Sequence, residues 1–362
     1  MLNQYSQFNP SLIFMEVTNA CEYQCLHCRA ESQKTPSPED LSTQELKNTI
    51  DQIITLWGKE AEIIFTGGNP LMREDLKELI EYVAGRGLRF GISPAASEAL
   101  TPEFLSFLRE KECSMVSLSL DGGTPATHDW LRNREGSFAD TLALLSAVRS
   151  FGLNVQINTT VFMRNVHELP DIAKISVDYG VEAWEIFFLI NTGRASGVKN
   201  ISSEEYMDIN HWLRTIRDKG LNVRTVEGPI FRVMNGIAKD RPDIVNGDIF
   251  HELMGNSKSL LDSIKFNNKE AGQGSFGGTL FISHNGDVYP SGLFKLNMGN
   301  LRSNFLAEII MNNMKYLGKN SRSDLKGKCG SCKFKYACGG SRARALLKFG
   351  DPMQFDSMCL YS

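Results

Sequence analysis

The chain has 362 residues, 42% of them apolar and 22% charged, which is enough to bury one large core, or a core with a smaller appended unit, and excludes a disordered chain. Its 39 basic and 42 acidic residues leave a net charge of −3, no electrostatic footprint for nucleic acid or an anionic membrane. The opening stretch MLNQYSQFNPSLIFMEV has no basic segment followed by a long apolar one, and no run of about 18 apolar residues occurs, so a cytoplasmic protein without nucleic-acid or membrane partners is expected.

From residue 12 to about 225, short apolar runs alternate with amphipathic stretches. LIFMEVT, AEIIFTGG, RFGISPA, SMVSLSLDG, NVQINTTV and EAWEIFFLI read as six buried strands by length and by β-branched and aromatic content. Between them STQELKNTIDQIITLW, REDLKELIEYVAGRG, TPEFLSFLREK, SFADTLALLSAVRSFG and ELPDIAKISVDYG carry helical apolar spacing, with cap residues such as Ser42 and Thr101 in front or a Gly behind. Repeating βα units imply a parallel sheet. Without a glycine-rich dinucleotide fingerprint, they predict an α/β fold of the incomplete TIM type, a partial (β/α)6 barrel over residues 1–225, with functional groups at the C-terminal strand ends. Residues 226–270 are polar and glycine-rich and read as a bridge or flap. Residues 271–362 form a second, smaller unit, opened by TLFISHNGDVYPSGLF as a hairpin turning at Asn285-Gly286.

Eight cysteines are distributed unevenly. Cys113 stands alone between structured segments and reads as a small buried apolar residue. The others form two clusters, which in a chain of this size point to metal or redox work rather than to a disulfide framework. Cys21, Cys25 and Cys28 follow the first strand directly as CxxxCxxC. Three thiolates on one short loop fit three corners of an iron-sulfur cubane, and with His27 as a fourth ligand they fit zinc.

This stretch resembles the signature of the radical S-adenosylmethionine (SAM) superfamily, CxxxCxΦC, with His27 in the aromatic position before the last cysteine. The resemblance implies a 4Fe-4S cluster whose open iron chelates SAM, and reductive cleavage to a 5′-deoxyadenosyl radical that abstracts hydrogen from substrate. FTGGNP at the end of the second strand resembles the family's GGE motif, in which Gly67 and Gly68 let the backbone approach SAM. Asn69 replaces the Glu, so that a side-chain oxygen is kept as acceptor for the SAM ammonium while the charge is lost. By position at strand ends, Ser93, Ser119, Asp121 and Asn158 reach the ribose or carboxylate of SAM; their plain alternative is as caps and turn residues.

Near the C-terminus Cys329, Cys332, Cys338 and Cys359 form CxxCx5C followed by a distant fourth. Spacing alone admits zinc or a fully ligated 4Fe-4S cluster. NGDVYP, the GN pair and KGKCGSCKFKYACGGSRARA resemble the SPASM or twitch extension of radical SAM enzymes, which implies an auxiliary 4Fe-4S cluster. Ser291, Ser341, and Gly274 or Ser275 stand where relatives often place further ligands, so two clusters in total are expected, one catalytic and one auxiliary.

Arg194, Arg342 and Arg344 are candidates for binding a substrate carboxylate, with Arg132 and Arg134 behind them and Lys348 on the same terminal helix. Tyr289 and His284 lie in the hairpin expected to cap the barrel mouth. Across most of the chain, HCRAES, QINTTV, FFLINTGRAS and CGGSRARA resemble the subgroup of the haem d1 maturase and the alternative haem b synthase. That resemblance implies hydrogen abstraction beside a carboxylate of a tetrapyrrole, with the auxiliary cluster accepting an electron and a flavodoxin or ferredoxin as reductant. The second reading is modification of a ribosomal peptide, against which the lack of a peptide-binding domain ahead of the barrel is weighed. A non-catalytic electron carrier needs neither barrel nor open iron.

Overall fold

Strand β1 (Leu12–Glu16) starts a parallel sheet whose members arrive in chain order: β2 (Glu62–Thr66), β3 (Arg89–Ile92), β4 (Val116–Ser119), β5 (Val155–Val161), β6 (Ala183–Phe188) and β7 (Val223–Val226). The computed structural model describes residues 8–264, 278–318 and 322–361. The outward residues of the strands are apolar because helices cover that side, while the inner side of the arc also carries polar groups such as Ser119, Asn158 and Glu185. Ile13, Ile63, Phe90, Val116, Ile157 and Ile186 are all fully or almost fully buried.

The intervening helices are α1 (Thr43–Trp57), α2 (Leu76–Gly85), α3 (Pro102–Glu110), α4 (Pro125–Arg132), α5 (Ser137–Ser150), α6 (Leu169–Asp178) and α7 (Ser203–Asp218). Helix α1 shows how sequence sets them. Ser42 and Glu45 form a reciprocal capping box at its start, Leu46, Ile50, Ile53 and Trp57 make the buried stripe, and Gly58 ends it at φ 65°. The arc does not close into a barrel. Beyond the six expected strands, β7 extends one edge, and α4 and α7 lie outside the helices read from periodicity.

The stretch read as a bridge or flap is helical where described: α8 (Met234–Asp240), α9 (Asp248–Asn256) and α10 (Lys258–Ser263). The carboxylate of Asp208 on α7 accepts from the Gly247 and Phe250 amides, and Trp212 Nε1 donates to Ser257 Oγ at 2.9 Å.

The expected hairpin is present as β8 (Thr279–Ile282) and β9 (Asp287–Tyr289), with Gly286 at φ 90° in its turn. Its placement is informative. Strand β8 pairs in parallel with β1, and β10 (Gly299–Asn300) pairs with β9, so one ten-stranded sheet runs β10-β9-β8-β1 and on to β7. Helices α11 (Leu306–Asn312), α12 (Gly327–Ser331) and α13 (Arg342–Phe349) complete the second unit. Cys113 is buried in the main core, as its isolation predicts.

Candidate functional site

The loop after β1 carries Cys21, Cys25 and Cys28, and its neighbours hold it by backbone contacts. Gly68 N donates to Thr18 O at 2.9 Å and Asn69 N to Ala20 O at 2.6 Å. A Cβ on Gly67, which sits at φ +151°, would lie 2.4 Å from Thr18 O, and one on Gly68 would lie 2.1 Å from Ala20 O. The Gly-Gly pair is therefore the seat of the cysteine loop as well as part of the cavity wall. From the opposite side, Arg194 N donates to Cys28 O at 3.1 Å, Arg194 Nε to Cys25 O at 3.0 Å and Arg194 Nη1 to Ser32 O at 2.9 Å.

All three thiols line one cavity of about 360 Å³ at the C-terminal ends of the strands, together with His27, Gly67, Gly68, Ser93, Ser119, Asp121 and Asn158. The structure thus brings most of the sequence-predicted site into one wall. Burial pushes the Cys21 thiol up to about 12 and raises Cys25, against which Arg132 works. Burial works upward on the half-buried Cys28 too, yet the Ser32 hydroxyl, backbone amides and Arg194 together hold it below the usual thiol value.

Asp121 anchors the polar side of the cavity. Its carboxylate is buried, pairs with Arg132, accepts from Thr160 N at 2.6 Å and lies 3.9 Å from His27 Nε2. Burial pushes Asp121 up, but Arg132, His27, His128 and the Thr160 amide together outweigh it and keep the carboxyl below its ordinary range. Burial lowers His27 to about 4, so the imidazole is neutral near pH 7. One group the sequence reading overlooked also lines the cavity: Glu185 on β6, raised by burial and accepting from Gln156 Nε2 at 2.9 Å. Its signal was present in the alternation of EAWEIFF, which points Glu185 inward with Phe187.

Several expected residues face elsewhere. Asn69 is fully buried outside the cavity wall. Its oxygen accepts from Leu71 N and Ala95 N, while its amide donates to Glu22 Oε1 at 2.8 Å. Arg344 is buried in a forked pair with Asp356 at 2.8 and 2.9 Å, and Arg342 donates to the carbonyls of Pro352 and Gln354. With Arg194 clamping the cysteine loop, none of the three arginines expected to bind substrate lines the cavity; backbone carbonyls and Asp356 take up most of their donors, and the buried Nη2 of Arg194, which has no partner among the described residues, lies outside the cavity wall. Arg134 stacks on Tyr23 at 4.7 Å. His284 pairs with Asp40 at 2.8 Å, and Tyr289 Oη lies 3.3 Å from Asp287 Oδ2, both outside the cavity wall.

Comparison with known proteins decides the class. The family model of the radical SAM superfamily matches residues 15–175. The AdoMet-dependent heme synthase of Nitratidesulfovibrio vulgaris is 35% identical over 97% of this chain and 92% of its own length, and that of Methanosarcina barkeri is 33% identical over 97% of each. The chain belongs to the radical SAM superfamily. It is accordingly an enzyme of the class that uses SAM and a 4Fe-4S cluster. Its fold matches that of Streptococcus suis SuiB bound to the precursor peptide SuiA, with a TM-score of 0.68 at 16% identity over 99% of this chain and 78% of that one.

The residues present fit the superfamily's cofactors. The donor set on the cysteine loop is three soft thiols that share one cavity with a polar wall. Cys329, Cys332, Cys338 and Cys359 line a second, smaller pocket together with Asp356 and Gly340. Burial raises Cys338 and Cys359 to about 12. Ser341 caps α13, its hydroxyl accepting from Arg344 N and bonding Glu227, and Ser291 lines the first cavity. Gly274 and Ser275 lie outside the described residues.

Among the described residues no helix is long and apolar enough to cross a membrane.

Proposed function

We propose that this radical SAM enzyme oxidises a propionate side chain of a tetrapyrrole. One observation carries the reading: the thiol set of the cysteine loop shares its cavity with an apolar, aromatic wall of Phe14, Phe187, Phe188, Phe281 and Leu293. A flat macrocycle buries well against such a wall, and the full-length relatives named above act in heme synthesis. Cys21, Cys25 and Cys28 would hold the catalytic cluster, and Gly67, Gly68, Ser93, Ser119, Asp121 and Asn158 would frame SAM with His27 beside them. When bound, these groups supply a 5′-deoxyadenosyl radical. The chain's own part is to orient the substrate carbon toward it and to exclude water.

Cys329, Cys332, Cys338 and Cys359 would hold one auxiliary cluster as electron acceptor. On this reading residues 1–225 form the SAM unit, 226–270 a bridge and 271–362 the auxiliary unit. A flavodoxin or ferredoxin would serve as reductant, in the cytoplasm.

The alternative substrate, a ribosomal peptide, draws on the fold shared with SuiB.

The test is anaerobic reconstitution with iron and sulfide counting beside a 5′-deoxyadenosine assay, run with iron coproporphyrin III and with peptide pools. About eight irons and porphyrin-dependent product are expected. Cys21→Ala, Cys25→Ala and Cys28→Ala should each abolish SAM cleavage, while Cys332→Ala should remove about one cluster's iron. Turnover with peptide alone would overturn the tetrapyrrole reading, and unchanged iron in the Cys332 variant would remove the auxiliary cluster.

A further inference from the structure

Arg29 follows Cys28 directly and lines the same cavity. Its Nη2 donates to Glu16 Oε1 at 2.9 Å. Glu16 is 2% exposed at the end of β1 and takes a further bond from Ser283 Oγ at 2.9 Å, so the carboxylate that orients Arg29 is itself held by the loop after β8. The guanidinium carbon lies 4.2 Å from the centre of the Phe281 ring, and Gly292 approaches so closely that a Cβ there would stand 3.2 Å from both Arg29 Nε and Phe281. The head group is thus fixed on three sides by residues from both halves of the sheet.

The Nη1 of Arg29 is buried and has no acceptor among the described residues. Shielded donors are almost always paired in folded proteins, and an unpaired one next to a charged group is costly. The other arginine on this cavity, Arg132, has both terminal nitrogens engaged, one by Asp121 and one by the Cys25 thiol at 3.8 Å, leaving only its Nε. Arg29 is therefore the cation of the cavity wall with a terminal N–H to spare, and it stands next to the aromatic surface of Phe14, Phe281 and Leu293.

Resting on the tetrapyrrole reading above, we propose that Arg29 is the carboxylate anchor of the substrate site: Nη1 receives a propionate of the bound macrocycle while Glu16 and Phe281 hold the guanidinium still. The role expected of Arg194, Arg342 and Arg344 thereby falls to the residue that directly follows the cysteine motif. An anchor next to Cys28 also sets the register of the macrocycle. With one propionate pinned there, a neighbouring side chain is presented to the SAM side of the cavity, and a neutral ring lacks the pin.

The experiment is equilibrium titration of anaerobically reconstituted protein with iron coproporphyrin III and with its methyl ester, followed by the porphyrin absorbance. The wild type should favour the acid over the ester. Arg29→Gln should weaken the acid at least about tenfold and leave the ester unchanged, and Arg29→Lys should fall between. Because Arg29→Gln strands a buried Glu16, the pair Glu16→Gln with Arg29→Gln repeats the measurement without that charge. Retained preference for the acid in both Arg29→Gln proteins overturns the anchor and leaves the tetrapyrrole reading standing, as does a wild type that binds acid and ester alike. A wild type that binds neither porphyrin overturns the reading, and the anchor falls with it.

Discussion

Arg132 donates to the Cys25 thiol from 3.8 Å while Asp121 pins its other terminal nitrogen, so a half-buried cation is aimed at one sulfur of the cysteine loop. Hydrogen bonds to ligand sulfurs and nearby charge tune iron-sulfur potentials. A positive group at the sulfur favours the reduced, more negative state. Replacing Arg132 with Gln together with Asp121→Asn, so that no buried charge is stranded, should therefore lower the potential of the catalytic cluster. The expected shift is on the order of 50 mV, about a tenfold change in the one-electron equilibrium. A redox titration followed by electron paramagnetic resonance reads it directly, and an unmoved potential would show that the contact is only structural.

The seat of the cysteine loop offers a second test. Gly68→Ala places a methyl 2.1 Å from Ala20 O, where backbone must move, so a loss of about 2–3 kcal/mol in stability and poor cluster loading are expected. Gly85→Ala at the end of α2 meets nothing within 4 Å. It should be neutral or stabilising by up to about 1 kcal/mol. Urea melts and iron counts on the two proteins separate close packing from a general aversion to alanine.

Arg344 and Asp356 are 6% and 1% exposed, and Arg344 also reaches Tyr206 Oη at 3.0 Å. Arg344→Met leaves Asp356 charged and unpaired in the interior, a loss of about 3–5 kcal/mol. Asp356 N donates to Cys329 Sγ at 3.4 Å. The same variant should therefore load less iron in the second pocket, and full iron retention would disconnect the ion pair from that site.

Acid stability reports on Glu45, which Arg302 holds down to about 2 through a hydrogen bond at 2.7 Å. Its folded value lies below the unfolded carboxyl near 4.3, so its contribution is complete above about pH 5 and lost as the pH falls toward 2. Both side chains are more than a third exposed, which limits the effect to about 1 kcal/mol or less. Glu45→Gln should lower the neutral plateau of a melting-temperature profile by no more than that amount and converge with the wild type as the pH falls toward 2, which flattens the acid limb.

The first six strands and their crossover helices are legible because alternate positions of each strand, such as Ile13 and Met15, Ile63 and Phe65, or Val116 and Leu118, are apolar and buried under the helices. Strand β7 escaped because only Val223 of VRTV is buried, so the run lacks the density of LIFME. Helix α4 starts with Pro125 behind Thr124 and is polar on average, with only Thr127, His128 and Leu131 buried, which hides its period. Helix α7 did advertise itself, through the Ser202 and Glu205 capping box, and went unread. At the site, thiols and strand-end polar groups follow from local spacing. The arginines do not: Arg194 finds its acceptors on a loop 169 positions away, at Cys25, and its chemical suitability for a carboxylate says nothing about which acceptor reaches it first. Asn69 is similar, its amide facing Glu22 across 47 positions.

The parallel pairing of β8 with β1 makes the second unit a continuation of the first sheet rather than a module hung on a linker. Strand β1 is an interior strand only because β8 covers it. A chain shortened before residue 278 would expose the ladder from Leu12 to Met15 as a bare edge, the kind of surface that recruits other chains. Removing the second unit to obtain a minimal catalytic half should therefore yield aggregates.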